Sequence, residues 1–257
     1  MNPLALIKIG GSLITDKTKP FTVREDMMRI VADSVHIAYE KFPENAFILA
    51  NGAGSFGHYL ASKEAGENPQ ERIDAVHESV VLLNRLFVQH LVERGLPAIS
   101  VVPAEHISAK NGALKNFNAD EVEDILSINS IPVLFGDIVS DGTKKGMIFS
   151  TEALFEIISD KFRSDHDISV IYAGETDGVL DANGATIPVI SSVVWKKMGR
   201  AVEAPKGYDV TGGMTHKIES ALYLAKFAKN VRIISGKDPE AIADALADKT
   251  IGTQVLA

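Results

Sequence analysis

Short, nearly unbroken apolar runs alternate along this chain with longer stretches in which apolar positions recur every three or four residues. The runs at 4–9, 46–50, 98–102, 131–135, 168–173 and 231–234 predict strands covered on both faces. The stretches at about 23–41, 71–93, 151–162, 211–228 and 239–247 predict helices. Within 75–91, Val76, Val80, Leu83, Leu86 and Val88 fall on or near one stripe, with Glu78, Arg85 and Gln89 elsewhere. Strands alternating with helices predict an α/β fold, a three-layer αβα sandwich around a mostly parallel sheet. Two segments break the alternation. Residues 110–117 contain Asn111-Gly112 and 138–149 contain Asp141-Gly142, both turn signals for antiparallel hairpins at the sheet edge or a ligand cleft. No repeat, low-complexity tract or linker interrupts the chain. It reads as one domain over 1–257 with two lobes, about 1–165 and about 166–257.

Charge narrows the set of partners. The 257 residues carry 26 Lys and Arg against 34 Asp and Glu, a net charge of −8. Such a chain gains nothing from counterion release on nucleic acid and offers no basic face to an anionic membrane. Any phosphate must therefore be held by local lysines and backbone amides. With no cysteine there is no disulfide, thiolate metal site or thiol nucleophile. The apolar start, 1–9, lacks the charged segment and length of a signal peptide, and no run approaches the roughly 20 apolar residues of a membrane span. The expectation is a soluble cytoplasmic protein.

Glycines cluster where the first two apolar runs end. Lys8-Ile9-Gly10-Gly11-Ser12 follows the first and Asn51-Gly52-Ala53-Gly54-Ser55-Phe56-Gly57-His58 the second. The carboxyl ends of parallel strands are where open α/β sheets hold ligands, and glycine lets backbone approach an anion closely. A tight βα turn alone accounts for either loop; two together favour a phosphate site. Gly52, Gly54 and Gly57 also fit G-x-G-x-x-G, which raises an oxidoreductase as a competitor. That fingerprint needs a second strand ending in an acid about 20 residues on, whereas the chain here is polar and then helical. A Walker loop is absent, since Asp238 follows Gly236-Lys237, and the protein-kinase signatures are missing. A third cluster, Asp209 to Lys217, opens a helix with Thr211 as candidate N-cap and Gly212-Gly213 exposing its amides. A lone Lys217 would read as a solvated surface lysine. Phosphoryl transfer gives a reason to group it with Lys8 and Lys17, because its transition state needs fixed cations around spreading negative charge.

Taken together these residues resemble the amino acid kinase superfamily and, within it, the isopentenyl phosphate kinases. The resemblance runs through Lys8 to Ser12 with Thr15-Asp16-Lys17, then Gly54-Ser55-Phe56-Gly57-His58 and Phe135-Gly136-Asp137-Ile138. It continues through Asp177-Gly178-Val179, Asp209 to Lys217, Ser235-Gly236 and Gly252-Thr253. The most specific piece is Gly-Ser-Phe-Gly-His, shared with the related fosfomycin kinase. The resemblance implies ATP-dependent, Mg²⁺-assisted phosphorylation of isopentenyl phosphate by a cytoplasmic homodimer. It implies that Lys8 and Lys217 stabilise the transferred group, with Glu152 as a further catalytic residue. Lys17 would reach phosphates from a mobile loop, and His58 would hydrogen-bond the acceptor phosphate. Gly52, Ala53, Gly54, Gly57 and Gly136 would border the acceptor, with amides of Gly10, Gly11 and Gly52 along the phosphate track. Ser12, Gly174, Glu175, Asp177, Gly178, Gly212 and Gly213 would hold the nucleotide. The remaining six histidines read as surface or capping residues.

The chain departs from the family pattern at named places. Asn51 stands for a usual His and Ala53 for Gly. Ser150-Thr151-Glu152-Ala153 replaces Ser-Gly-Asp-Asp, whose first Asp organises the two catalytic lysines. Ala173-Gly174-Glu175-Thr176-Asp177-Gly178 replaces Leu-Thr-Asp-Val-Asp-Gly. These changes keep two alternatives open: a kinase of another small phosphate, phosphonate or carboxylate, and a non-catalytic nucleotide sensor.

Overall fold

The structure is a computed structural model that describes residues 1–62, 68–143, 146–198 and 213–257. In chain order it comprises β1 (Asn2–Ile9), α1 (Gly11–Ile14), α2 (Glu25–Lys41), β2 (Ala46–Asn51), α3 (Gly54–Ser62) and α4 (Pro69–Glu93). Then come β3 (Ala98–Ser100), α5 (Pro103–His106), β4 (Ile107–Lys110), β5 (Ala113–Phe117), α6 (Asp120–Ser127), β6 (Ile131–Phe135), β7 (Asp137–Val139) and β8 (Met147–Phe149). The chain closes with α7 (Thr151–Phe162), β9 (His166–Gly174), β10 (Val189–Ser191), α8 (Ser192–Met198), α9 (Gly213–Leu224), β11 (Asn230–Ser235), α10 (Ala241–Leu246) and β12 (Thr253–Leu256).

Eight strands form one sheet in the order β10-β12-β11-β9-β1-β2-β6-β3. Its pairings are parallel except for β11 with β12. The two-residue period of β1 sorts its side chains between two cores. Ala5, Ile7 and Ile9 pack with Met27–Ala38 of α2, Leu83, Phe87 and Leu91 of α4, and Ala241–Ala245 of α10. Leu4 and Leu6 pack on the other face with Val122 of α6, Leu154, Phe155 and Ile158 of α7, and Ile218 and Leu224 of α9. The three layers expected from the alternation are therefore present. The six apolar runs are β1, β2, β3, β6, β9 and β11. The short elements α1, α5, α6, α8, β10 and β12 carried too few residues to show a period.

Both turn signals mark hairpins. In β4–β5, Asn111 and Gly112 take φ of 52° and 74°, the left-handed backbone that a two-residue hairpin turn requires. The β7–β8 hairpin is tied to it, because Asp141 accepts from the Gly112 amide at 2.6 Å. No helix among the described residues is long and apolar enough to cross a membrane.

Candidate active site

Side-chain alternation carries the chemistry to one end of the sheet. Lys8 continues the Leu4–Leu6 face of β1, so its stem runs toward α7. There its ammonium meets Glu152 Oε1 in an ion pair, with the two residues only 8% and 5% exposed. Glu152 stands in the first turn of α7, whose N-cap Ser150 accepts from the Ala153 amide at 3.1 Å, and the helix dipole favours an anion there. Burial alone would push the Glu152 carboxyl up. The charge and hydrogen bond of Lys8, with the charge of Lys217, outweigh it and hold the carboxyl at about 2. Gly174 ends β9 on the Leu4–Lys8 face, and a Cβ there would lie 3.2 Å from Lys217 Nζ. The missing side chain leaves the space that the α9 lysine occupies.

The two glycine loops pack directly on each other. A Cβ on Gly11 would come within 2.3 Å of the Gly54 nitrogen, and one on Gly52 within 2.8 Å of the Gly11 nitrogen. Thr15 stitches them together: its hydroxyl donates to Gly11 O at 2.7 Å and accepts from the Ser55 amide at 2.9 Å. Gly54 adopts φ +53° in this contact. Gly57 lets α3 approach α4, since a Cβ there would sit 2.7 Å from both Ala53 Cβ and Val80 Cγ1. Phe56 turns inward and meets Phe21 edge-on at 5.6 Å. His58, one turn into α3 and only 6% exposed, then lines the cleft. The segment bearing Lys17 is closed at its base by the Asp16 amide donating to Thr22 O at 2.9 Å and by the Thr15–Val23 bridge.

Lys8, Lys17, His58, Glu152 and Lys217 share a cleft of about 520 Å³. Val76 and Val80 from α4, with Ile148 and Phe149 from β8, give it an apolar wall. Glu175, Thr176, Leu180 and Asp181 line the opposite end. Arg24 pairs with Glu175 and donates to Ser12 O at 3.2 Å, joining the first glycine loop to the far side of the cleft. Asp137, 2% exposed, takes His77 Nδ1 at 3.0 Å and the Ile138 amide at 2.8 Å. Burial raises its pKa, and these bonds oppose the rise. Asn51 forms a buried amide chain beneath Gly52: Asn84 donates to Asn51 Oδ1 at 2.9 Å, and Ser100 donates to Asn84 Oδ1. Among the described residues no group of three or more His, Cys, Asp or Glu is arranged to hold a metal ion.

A cleft at the carboxyl ends of parallel strands, floored by paired glycine loops and ringed by lysines, fits the chain's match to the amino acid kinase family model over residues 3–235. The chain belongs to the amino acid kinase family. The isopentenyl phosphate kinase of Haloferax volcanii is 30% identical to it over 254 residues, spanning 98% of each chain. That of Methanocaldococcus jannaschii is 25% identical over 264 residues, again spanning 98% of each. A solved isopentenyl phosphate kinase structure shares the fold with a TM-score of 0.77 at 24% identity, covering 98% of this chain and 99% of that one.

Against this amino acid kinase frame, the expected residues divide. Gly10, Gly11, Ser12, Gly52, Ala53, Gly57, Gly136, Glu175 and Gly213 line the cleft with the lysines and His58. Gly54 lies beneath it in the loop–loop contact. Asp177 and Gly178 do not line it. Gly178 is needed instead for close packing, because a Cβ there would meet Thr253 Oγ1 at 2.5 Å. Gly212, Asp209 and Thr211 lie outside the described residues. The expected role of two amides changes: Gly10 N donates to Ala173 O at 2.8 Å and Gly52 N to Ile9 O at 2.9 Å. The parallel ladder runs one residue past each strand and consumes them, so these glycines supply space rather than donors. Arg24 and Asp181 escaped the sequence reading, and Asp137 and Thr151 entered it only as members of family motifs, with no site role. An isolated polar residue carries no periodic signal, and only the fold brings Thr151, Asp137 and Asp181 to the cleft and Arg24 against its Glu175.

Proposed function

We propose that this chain phosphorylates isopentenyl phosphate to isopentenyl diphosphate with ATP, a step in isoprenoid biosynthesis. The observation that carries the reading is the convergence of Lys8, Lys17, Lys217 and His58 on one cleft whose other wall is apolar. The half before about residue 165 takes the acceptor, its short hydrocarbon tail against Val76, Val80 and Ile148. The half from about 166 takes the nucleotide beside Glu175, Thr176 and Leu180. A phosphate monoester with a second pKa near 6 is already a nucleophile at neutral pH, so no strong general base is required. One acceptor phosphate oxygen attacks the γ-phosphorus, the bond from that phosphorus to the bridging oxygen breaks, and ADP leaves with the bond's electron pair.

His58 donates to the acceptor phosphate and sets its line of attack. Lys8 on β1 and Lys217 on α9, beside the end of β9, hold the transferred group from two sides while Glu152 fixes Lys8. Lys17 neutralises the phosphates at the cleft mouth. Mg²⁺ would arrive on the nucleotide, held mainly by phosphate oxygens as this ion commonly is, and would neutralise their charge. The protein works as a cytoplasmic homodimer in this reading.

The test is purified protein with ATP, Mg²⁺ and, in separate reactions, isopentenyl phosphate, dimethylallyl phosphate and fosfomycin, followed by phosphorus NMR. The expected result is a diphosphate signal from the prenyl phosphates. Transfer to fosfomycin alone would move the assignment to the phosphonate kinase, and ATP binding without any transfer would make the chain a sensor. The intact Lys8–Glu152 pair argues for the enzyme.

A further inference from the structure

The two carboxylate oxygens of Glu152 are used differently. Oε1 pairs with Lys8, while Oε2 accepts a hydrogen bond from Thr151 Oγ1 at 3.2 Å. Thr151 is 2% exposed, and both residues line the cleft. A glutamate has one more rotatable bond than an aspartate. Its carboxylate therefore needs an additional hold if Lys8 is to sit at a defined point, and transfer is sensitive to placement at the ångström scale. Thr151 is suited to supply it. As the first residue of α7 it has no preceding helical turn whose carbonyl would capture the hydroxyl. Its β-branched side chain is stiff at χ1 and buried, so the hydroxyl has a fixed direction. The neighbouring Ser150 hydroxyl is already engaged with the Ala153 amide.

We infer that Thr151 is a positioning residue for phosphoryl transfer, its hydroxyl fixing the Glu152 carboxylate that in turn places the Lys8 ammonium. The departures from the family pattern at 151 and 152 then form one unit, a longer acid and the hydroxyl that steadies it. This rests on reading the cleft as a phosphoryl-transfer site.

The test uses the full chain with Thr151→Ala, Thr151→Ser, Glu152→Gln and the double variant Thr151→Ala/Glu152→Gln. Each is assayed for kcat, for KM of ATP with isopentenyl phosphate, and for its thermal unfolding midpoint. Thr151→Ala is expected to lower kcat about tenfold, the worth of one hydrogen bond, with KM for ATP within about twofold. Thr151→Ser should recover most of the loss. On the Glu152→Gln background Thr151→Ala should add nothing. Wild-type kcat in Thr151→Ala, or an equal loss on both backgrounds, would overturn the inference and leave the proposed function standing. If the wild-type protein transfers no phosphate, the proposed function fails, and the coupling is read from the midpoints alone. Non-additive midpoints would keep the Thr151–Glu152 unit, and additive ones would refute it.

Discussion

Replacing Glu152 by Gln keeps the side chain's shape and removes its charge. In the native protein the carboxyl is held at about 2 against an ordinary 4.5, because Lys8 and Lys217 outweigh the burial that pushes it up. At about 1.4 kcal/mol per pH unit, that drop corresponds to about 3 kcal/mol in favour of the folded, ionised form. The folded value lies below the unfolded one. The contribution is therefore fully present above pH 4.5 and is lost as the pH falls toward about 2. Seen from the other partner, the variant strands a buried ammonium, and removing one member of a buried pair costs about 3–5 kcal/mol. Glu152→Gln should thus be about 3 kcal/mol less stable than the wild type in urea at pH 7. The gap should close as the pH is lowered from about 4.5 toward 2. Taking the difference between the two curves removes the titration of the other carboxyls. Turnover should fall as well, since Lys8 loses the anchor that places it. No gap at pH 7, or a gap of constant size down to pH 2, would refute the reasoning.

Four further outcomes follow from the geometry. His58→Ala should lower kcat much more than it weakens ATP binding, checked by steady-state kinetics beside calorimetric titration, whereas Lys217→Ala should lower kcat with a smaller loss of stability than Glu152→Gln shows, because Lys8 remains to pair with Glu152. Gly11→Ala sets a Cβ within 2.3 Å of the Gly54 backbone, which no rotamer can relieve. It should cost about 1–3 kcal/mol in urea unfolding or prevent folding, with turnover lost in either case. Asn84→Ala leaves Asn51 Oδ1 and Ser100 Oγ without their partner under the second loop. It should cost about 1–3 kcal/mol in urea unfolding, and a midpoint equal to the wild type would show that chain to be dispensable.

Lys8 and His58 were legible as candidates because each adjoins a glycine loop at the end of an apolar run, and Lys217 because it follows paired glycines that open a helix, local patterns that one sequence carries. The strands and long helices were legible for a similar reason: burial on both faces writes β1 as a nearly unbroken apolar run, and burial on one face writes a period of about 3.6 into α4. What the sequence could not reveal was which donors remain after the fold has used its own. The Gly10 and Gly52 amides are consumed by the ladder, and Gly178 serves Thr253 rather than a ligand. Nor could spacing place Glu152 against Lys8 or Thr151 against Oε2, since the first pair lies 144 residues apart. Periodicity is local and survives in the linear order. Charge pairing at a cleft depends on which helix the sheet's two faces bring together, and tertiary packing alone decides that.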